Sequence, residues 1–166
     1  MKLYVNEKLF SLRRKYFVED ENNKSIYEIS SKIFSLKHKT TVSNMDGEEV
    51  AYIEGKVFYI LPSYKVYVKN KFMCKIKRKL TLWKKKYSIS NGYRVEGNFI
   101  DLDFKIFNHE NKQVANIKRK FFSLKDKYVI DIIDEEKVNL ILAIVATIIN
   151  DNFDEIKASL NARLLR

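Results

Sequence analysis

The chain has one cysteine, Cys74, one proline and four glycines in 166 residues. A lone cysteine excludes an intrachain disulfide and fits a reducing, cytosolic setting. Scarce glycine and proline argue against a linker-rich or disordered chain. Turns must then be built from Asn, Asp, Lys and Ser. The start, MKLYVNEKLFS, shows no apolar leader or cleavage site, so no signal peptide is expected. Long hydrophobic runs are also missing. The longest, VNLILAIVATII at 138–149, contains Asn139 and Thr147. It falls short of the roughly 20 apolar residues that a membrane-spanning helix needs and reads as a buried core helix.

Acidic residues are absent from one long stretch. Residues 55–95 hold no Asp or Glu and twelve of the 32 basic residues. That leaves 20 basic against 21 acidic residues elsewhere, so the surplus of +11 belongs to the middle of the chain. Tyr and Phe are plentiful, 10 and 11, and together with Ile and Val they suit a pleated, half-buried surface.

A phrase repeats along the chain: FSLRRK at 10–15, FSLKHK at 34–39 and FSLKDK at 122–127, with LTLWKKKY at 80–87 as a looser relative. Six similar segments lead into these phrases or their equivalents, beginning at Val5, Ile29, Ile53, Ile76, Val95 and Ile117. Each has a β-branched residue, two variable residues, Lys or Asn, then two mostly apolar residues. A spacing of about two dozen residues marks a repeated supersecondary unit. Turn signals such as EDENN at 19–23, NMDG at 44–47 and Asn91-Gly92 follow, and alternating runs such as CKIK and VANIK return. Strand, turn and alternating strand make a hairpin.

Six outgoing strands, five hairpin tips and a short segment at 3–5 predict about twelve strands. So many strands rarely form an open sheet, and closure into a barrel removes the edges. The run at 138–149 is apolar nearly all round and must be surrounded. It is predicted to fill the barrel as a helix over about 135–149, with Asp134 as its cap and Glu135 and Glu136 in its first turn. The Ser-Leu-Lys-x-Lys part of the phrase is expected to mark a bend or bulge within each outgoing strand. The fold class is therefore all-β, a closed twelve-stranded barrel around a hydrophobic helix. Domain boundaries are expected at 1–150 for the barrel with its helix and 151–166 for a short amphipathic helix.

The segments VEGNFIDLDFKIFN at 95–108 and QVANIKRKFFSLKDKYVIDI at 113–132, followed by an apolar helix, resemble the LURP-one-related family. The matching positions are Val95-Glu96-Gly97-Asn98, Phe104-Lys105-Ile106, Gln113-Val114-Ala115, Ile117-Lys118-Arg119-Lys120, Phe122-Ser123 and Tyr128. Asp46-Gly47 and Val50-Ala51-Tyr52-Ile53 fit as well. The resemblance covers roughly residues 1–150. It implies membership of the tubby C-terminal-like superfamily, related to the phospholipid scramblases, with a twelve-stranded barrel around a C-terminal helix. Tubby domains bind phosphoinositides, and scramblases act at membranes with calcium. The chain lacks a scramblase's proline-rich leader and cysteine cluster, so scrambling is not carried over.

Catalytic and metal signatures are missing. His38 and His109 have no Cys or His at metal-ligand spacing. Cys74 alternates with Ile76 on a strand and reads as a buried, inert thiol. No P-loop, GxGxxG, GxSxG or HExxH occurs. Glu19-Asp20-Glu21 lacks the regular oxygen spacing of a calcium loop. Neither an enzyme nor a cofactor is predicted.

The basic segment remains. Alternation predicts that Lys71, Lys75, Lys77, Lys79, Lys84, Lys85 and Lys86 gather on one flank, which attracts polyanions, and Lys69 and Arg78 are counted with them as binding candidates. Anionic membrane headgroups come first, with the protein cytoplasmic and peripheral at the membrane. Nucleic acid is the alternative, with Trp83, Tyr87 and Tyr93 available for stacking. Phe153, Ile156, Leu160 and Leu164 share one helical face, which covers the protein's own barrel end or, as a third functional reading, a partner in a protein-interaction scaffold.

Overall fold

The computed structural model describes residues 1–10, 13–32, 38–56, 61–79, 86–98, 103–120 and 127–164. Twelve strands run in chain order: β1 (Lys2–Phe10), β2 (Arg13–Glu19), β3 (Ser25–Lys32), β4 (His38–Asn44), β5 (Glu49–Lys56), β6 (Ser63–Val68), β7 (Lys71–Lys79), β8 (Lys86–Ile89), β9 (Arg94–Asn98), β10 (Asp103–Phe107), β11 (Gln113–Lys120) and β12 (Lys127–Ile132). Each pairs antiparallel with its chain neighbours, and β1 pairs with β12 to close the barrel. Closure removes the free edges that an open sheet of this size would expose.

The repeat explains the register. Its first residue, Val5, Ile29, Ile53, Ile76, Val95 or Ile117, points inward every time and is at most 5% exposed. The strand runs through the fourth residue of each motif, and in β1 through all six. At the first copy the phrase spans two strands, since β1 ends at Phe10 opposite Arg13, where β2 begins. There the expected single outgoing strand is corrected to two paired strands, while Ser11-Leu12 and the Ser-Leu parts of the later copies, where the bend or bulge was expected, lie outside the described residues. The register shifts lie at the opposite end, at Val18/Glu19, Val42/Ser43, Val66/Tyr67 and Ile106/Phe107, next to the tight turns. Bulges there add the local twist that lets neighbouring strands wrap.

The tight turns use asparagine and glycine where the backbone is left-handed, except at Lys69 with φ +47. Asn23, Asn70 and Asn111 have positive φ, and so do Gly47 and Gly92. Gly97 is different, because it lies within β9 at φ +141. A Cβ there would stand 2.3 Å from the Asp103 carbonyl oxygen and 2.6 Å from Phe104 Cα. The absent side chain lets β9 close on β10.

The barrel is filled by one helix. After β12 a single 3-10 turn, Glu135–Lys137, leads into α1 (Val138–Leu164). The Asp134 side chain makes no cap hydrogen bond. The Lys137 amide donates instead to the Asp134 carbonyl at 3.2 Å, so backbone closes this turn. Residues 140–151 are buried without a break, so the helix has no wet face along this length. That is what an all-round apolar sequence requires. Thr147 is buried too, and its hydroxyl is satisfied by donating to the Ala143 carbonyl at 2.8 Å.

α1 continues through 150 and 151 to Leu164 without interruption. The expected separate terminal helix is corrected: one helix serves both as the filler and as the extension. The side chains of Phe153, Ile156, Leu160 and Leu164 lie outside the described residues. No helix among the described residues is long and apolar enough to cross a membrane.

Candidate binding surface

The outer faces of β6, β7 and β8 form the basic wall. Strand pairing sets its rows. Glu54, Lys65 and Lys75 lie side by side on β5, β6 and β7. Lys56, Ser63, Lys77 and Ser88 form the next row, and Lys79 opposes Lys86 in the one after. Neighbouring strands lie about 4.8 Å apart, so Lys65 faces Lys75 with little between them. Like charges directly opposed across strands destabilise a sheet. Among the described residues, Lys65, Lys69, Lys71, Lys75, Lys77 and Lys79 form no ion pair. Glu54, in the row of Lys65, accepts a hydrogen bond from the Tyr52 hydroxyl at 2.7 Å. On the far side the wall ends at Arg94, whose Nε lies 2.6 Å from Glu96 Oε1.

Of the predicted flank, Lys69, Lys71, Lys77 and Lys79 are exposed and Lys75 is half-buried, all with outward-facing or turn positions. Lys84 and Lys85 lie outside the described residues, as does the side chain of Lys86. Arg78 is a correction. It stands two residues after the buried Ile76, and alternation turns it inward. Its Nη1 meets Asp151 Oδ2 at 3.3 Å.

Asp151 is the centre of a polar knot at the end of the barrel where the helix leaves. Tyr64 donates to its Oδ1 at 2.7 Å, and Tyr87 donates to its Oδ2 at 2.6 Å. Its neighbour Asn150 serves the other side of the barrel. Asn150 Oδ1 accepts from Arg14 Nη1 at 3.2 Å, and its Nδ2 donates to Ser31 Oγ at 2.8 Å and Thr40 Oγ1 at 3.1 Å. Two consecutive helix residues thus tie down β2, β3, β4, β6, β7 and β8. Sequence reasoning missed this ring. The signal was the third motif position, where Ser31 and Arg78 follow an inward β-branched residue by two.

Among the described residues, the remaining candidates form no reactive arrangement. Cys74 is fully buried, and burial pushes its thiol up to about 12, so it stays protonated. His109 is exposed, with Nε2 3.9 Å from Glu110 Oε1, and the His38 side chain lies outside the described residues. Asp20 caps its own turn, accepting from the amides of Asn22 and Lys24 at 2.9 Å each. Glu19 accepts from Asn6 Nδ2 at 2.6 Å. Among the described residues no three metal-binding side chains come together.

Comparisons with known proteins agree with this architecture. A family model described as LURP-one-related matches residues 1–149. The uncharacterized protein YxjI of Bacillus subtilis (strain 168) is 25% identical over 145 residues, spanning 87% of this chain and 89% of that protein. An X-ray structure of a protein from Arabidopsis thaliana, AT5G01750, matches with a TM-score of 0.61 at 15% identity, covering 91% of each chain. At that identity the match speaks for the fold alone.

Proposed function

The chain belongs to the LURP-one-related family, and on that premise we propose that it is a non-catalytic binding protein for anionic membrane headgroups. The β6–β8 wall is the binding surface. The observation that carries this reading is the opposed pair Lys65 and Lys75, with unpaired Lys77 and Lys79 beside them. A sheet that holds like charges face to face gives up stability, and a polyanion against the wall returns it. Each lysine near an anionic bilayer is worth about 1 kcal/mol, so several together anchor a protein peripherally. A membrane-spanning barrel turns an apolar band outward all round, whereas the rows of this wall below Tyr67 and Phe72 turn lysine and serine outward. Contact is therefore peripheral. The resemblance to the tubby-like superfamily, whose tubby domains bind phosphoinositides, leans the same way.

Nucleic acid would meet the same lysines. Stacking on bases is poorly served, because Tyr87 is buried with its hydroxyl on Asp151. Tyr93 is half-buried, and Trp83 lies outside the described residues.

Co-sedimentation with vesicles tests the reading. Purified protein is expected to pellet with phosphatidylserine-containing vesicles at about 0.15 M salt, and to stay in solution with phosphatidylcholine alone. A duplex DNA or RNA competitor should leave the pelleted fraction unchanged. Equal pelleting with both vesicle types, or none, contradicts the reading, and complete displacement by the competitor transfers it to nucleic acid.

A further inference from the structure

Five large apolar side chains stand exposed among the described residues: Met1, Met45, Phe72, Met73 and Ile133. Two of them are adjacent on one hairpin. Phe72 is 55% exposed and Met73 36%, immediately after the β6–β7 turn. Met73 is the extra residue of the register shift there, since Val66 pairs Cys74 and Tyr67 pairs Phe72. The turn itself is Lys69-Asn70, with φ +47 and +61. A two-residue turn with both φ positive suits asparagine and glycine, whereas lysine takes that conformation rarely.

The tips differ in charge. Asp20 and Glu21 lie at the β2–β3 tip, Asp46 and Glu48 at β4–β5, and Glu110 at β10–β11, while β8–β9 turns through Ser90, Asn91 and Gly92. The β6–β7 tip has Lys69 and Lys71 and no acid. The exposed Phe72 also continues an aromatic row on the outer wall. Its ring meets Tyr67 edge-on with centroids 5.7 Å apart, and Tyr67 lies 5.6 Å from Tyr52. Directly below that row come Lys65 and Lys75.

An apolar tip ringed by unpaired lysines matches the chemistry of an anionic bilayer surface. Aromatic and methionine side chains lodge at the acyl boundary, and lysine stems reach back to the phosphates. We infer that Phe72 and Met73 form a wedge that enters the headgroup layer of an anionic bilayer, with Lys65, Lys69, Lys71 and Lys75 engaging phosphates around it. This inference rests on the membrane reading above and adds an apolar term to it. It also sets the orientation. The neighbouring tip with Asp46, Glu48 and Glu49 is repelled by an anionic surface, so the barrel lies on its β6–β8 wall with the β6–β7 tip lowest.

The test compares wild type, the double variant Phe72→Ser/Met73→Ser and the single variant Phe72→Leu. Each is pelleted with phosphatidylserine-containing vesicles at about 0.15 M salt and again at several times that concentration. Circular dichroism checks the fold of each variant, which should be unchanged because both side chains are exposed. The double variant is expected to bind about tenfold more weakly at the lower salt and to detach fully at the higher, where wild type retains a fraction. Phe72→Leu keeps apolar bulk and should bind within about twofold of wild type. A double variant that binds like wild type at both salts overturns the wedge and leaves the basic-wall reading standing. A Phe72→Leu variant as weak as the double variant also overturns it, because insertion depends on apolar bulk. Absence of wild-type binding to anionic vesicles overturns both.

Discussion

Lys77 and Arg78 are consecutive on β7 and stand on opposite sides of the barrel wall. Lys77 faces solvent between Ser63 and Ser88. Arg78 faces inward and pairs with Asp151 at 3.3 Å. Strand alternation places two like charges in opposite settings, one open to solvent and one holding the helix.

Charge reversal separates those roles. Lys77→Glu should change stability by less than about 0.5 kcal/mol, as an exposed site does. It should weaken binding to anionic vesicles. Arg78→Glu places a second carboxylate beside Asp151 and should lose about 3–5 kcal/mol, the cost of breaking a buried pair. Urea unfolding of both variants checks the contrast.

Asp151→Ala leaves Tyr64, Tyr87 and Arg78 without their shared acceptor. The expected loss is about 3 kcal/mol, because one buried carboxylate serves three donors at once. Asp151→Asn keeps the shape and one acceptor oxygen and should lose less. Thermal unfolding should rank wild type, Asp151→Asn and Asp151→Ala in that order.

These roles show what local sequence conveys. Period-2 alternation and the spacing of Val5, Ile29, Ile53, Ile76, Val95 and Ile117 were enough for strands, their number and an enclosed helix. The reversal points were only half legible. Asparagine and glycine announce the tight tips, whereas the lysine-rich phrases have no glycine or proline and read as continuing strand. The inward turn of Arg78 was legible from Ile76 but was masked by its basic neighbours. Asn150 and Asp151 looked like a helix boundary. Their partners Arg14, Ser31, Thr40, Tyr64 and Tyr87 come from distant parts of the chain, and only the closed barrel brings them within reach.

Gly97→Ala should be among the most damaging single changes. The new Cβ meets backbone of β10 at 2.3 Å, and φ +141 is a conformation that side chains rarely adopt. A loss of about 3 kcal/mol or more is expected from strain and forced separation of the strands. Denaturant unfolding of the purified variant measures it.

Cys74 supplies a pH prediction. Burial raises its thiol from the ordinary 9.0 to about 12. A group whose folded value is raised contributes its full stability below the unfolded value and loses it as pH climbs towards the folded one. Stability should thus be unaffected by this thiol below about pH 9 and should decline above it. At neutral pH a thiol reagent should leave the native protein unmodified and react fully once it is unfolded in urea. Rapid native modification would show that Cys74 is accessible.

The most direct measurement compares two variants of equal net charge by vesicle co-sedimentation. One carries Lys75→Glu, Lys77→Glu and Lys79→Glu on the basic wall. The other carries Lys24→Glu, Lys105→Glu and Lys118→Glu, exposed lysines away from it. Loss of anionic-vesicle binding in the first and retention in the second is the predicted result. Equal binding by the two would show that the wall has no special part, and would contradict the account.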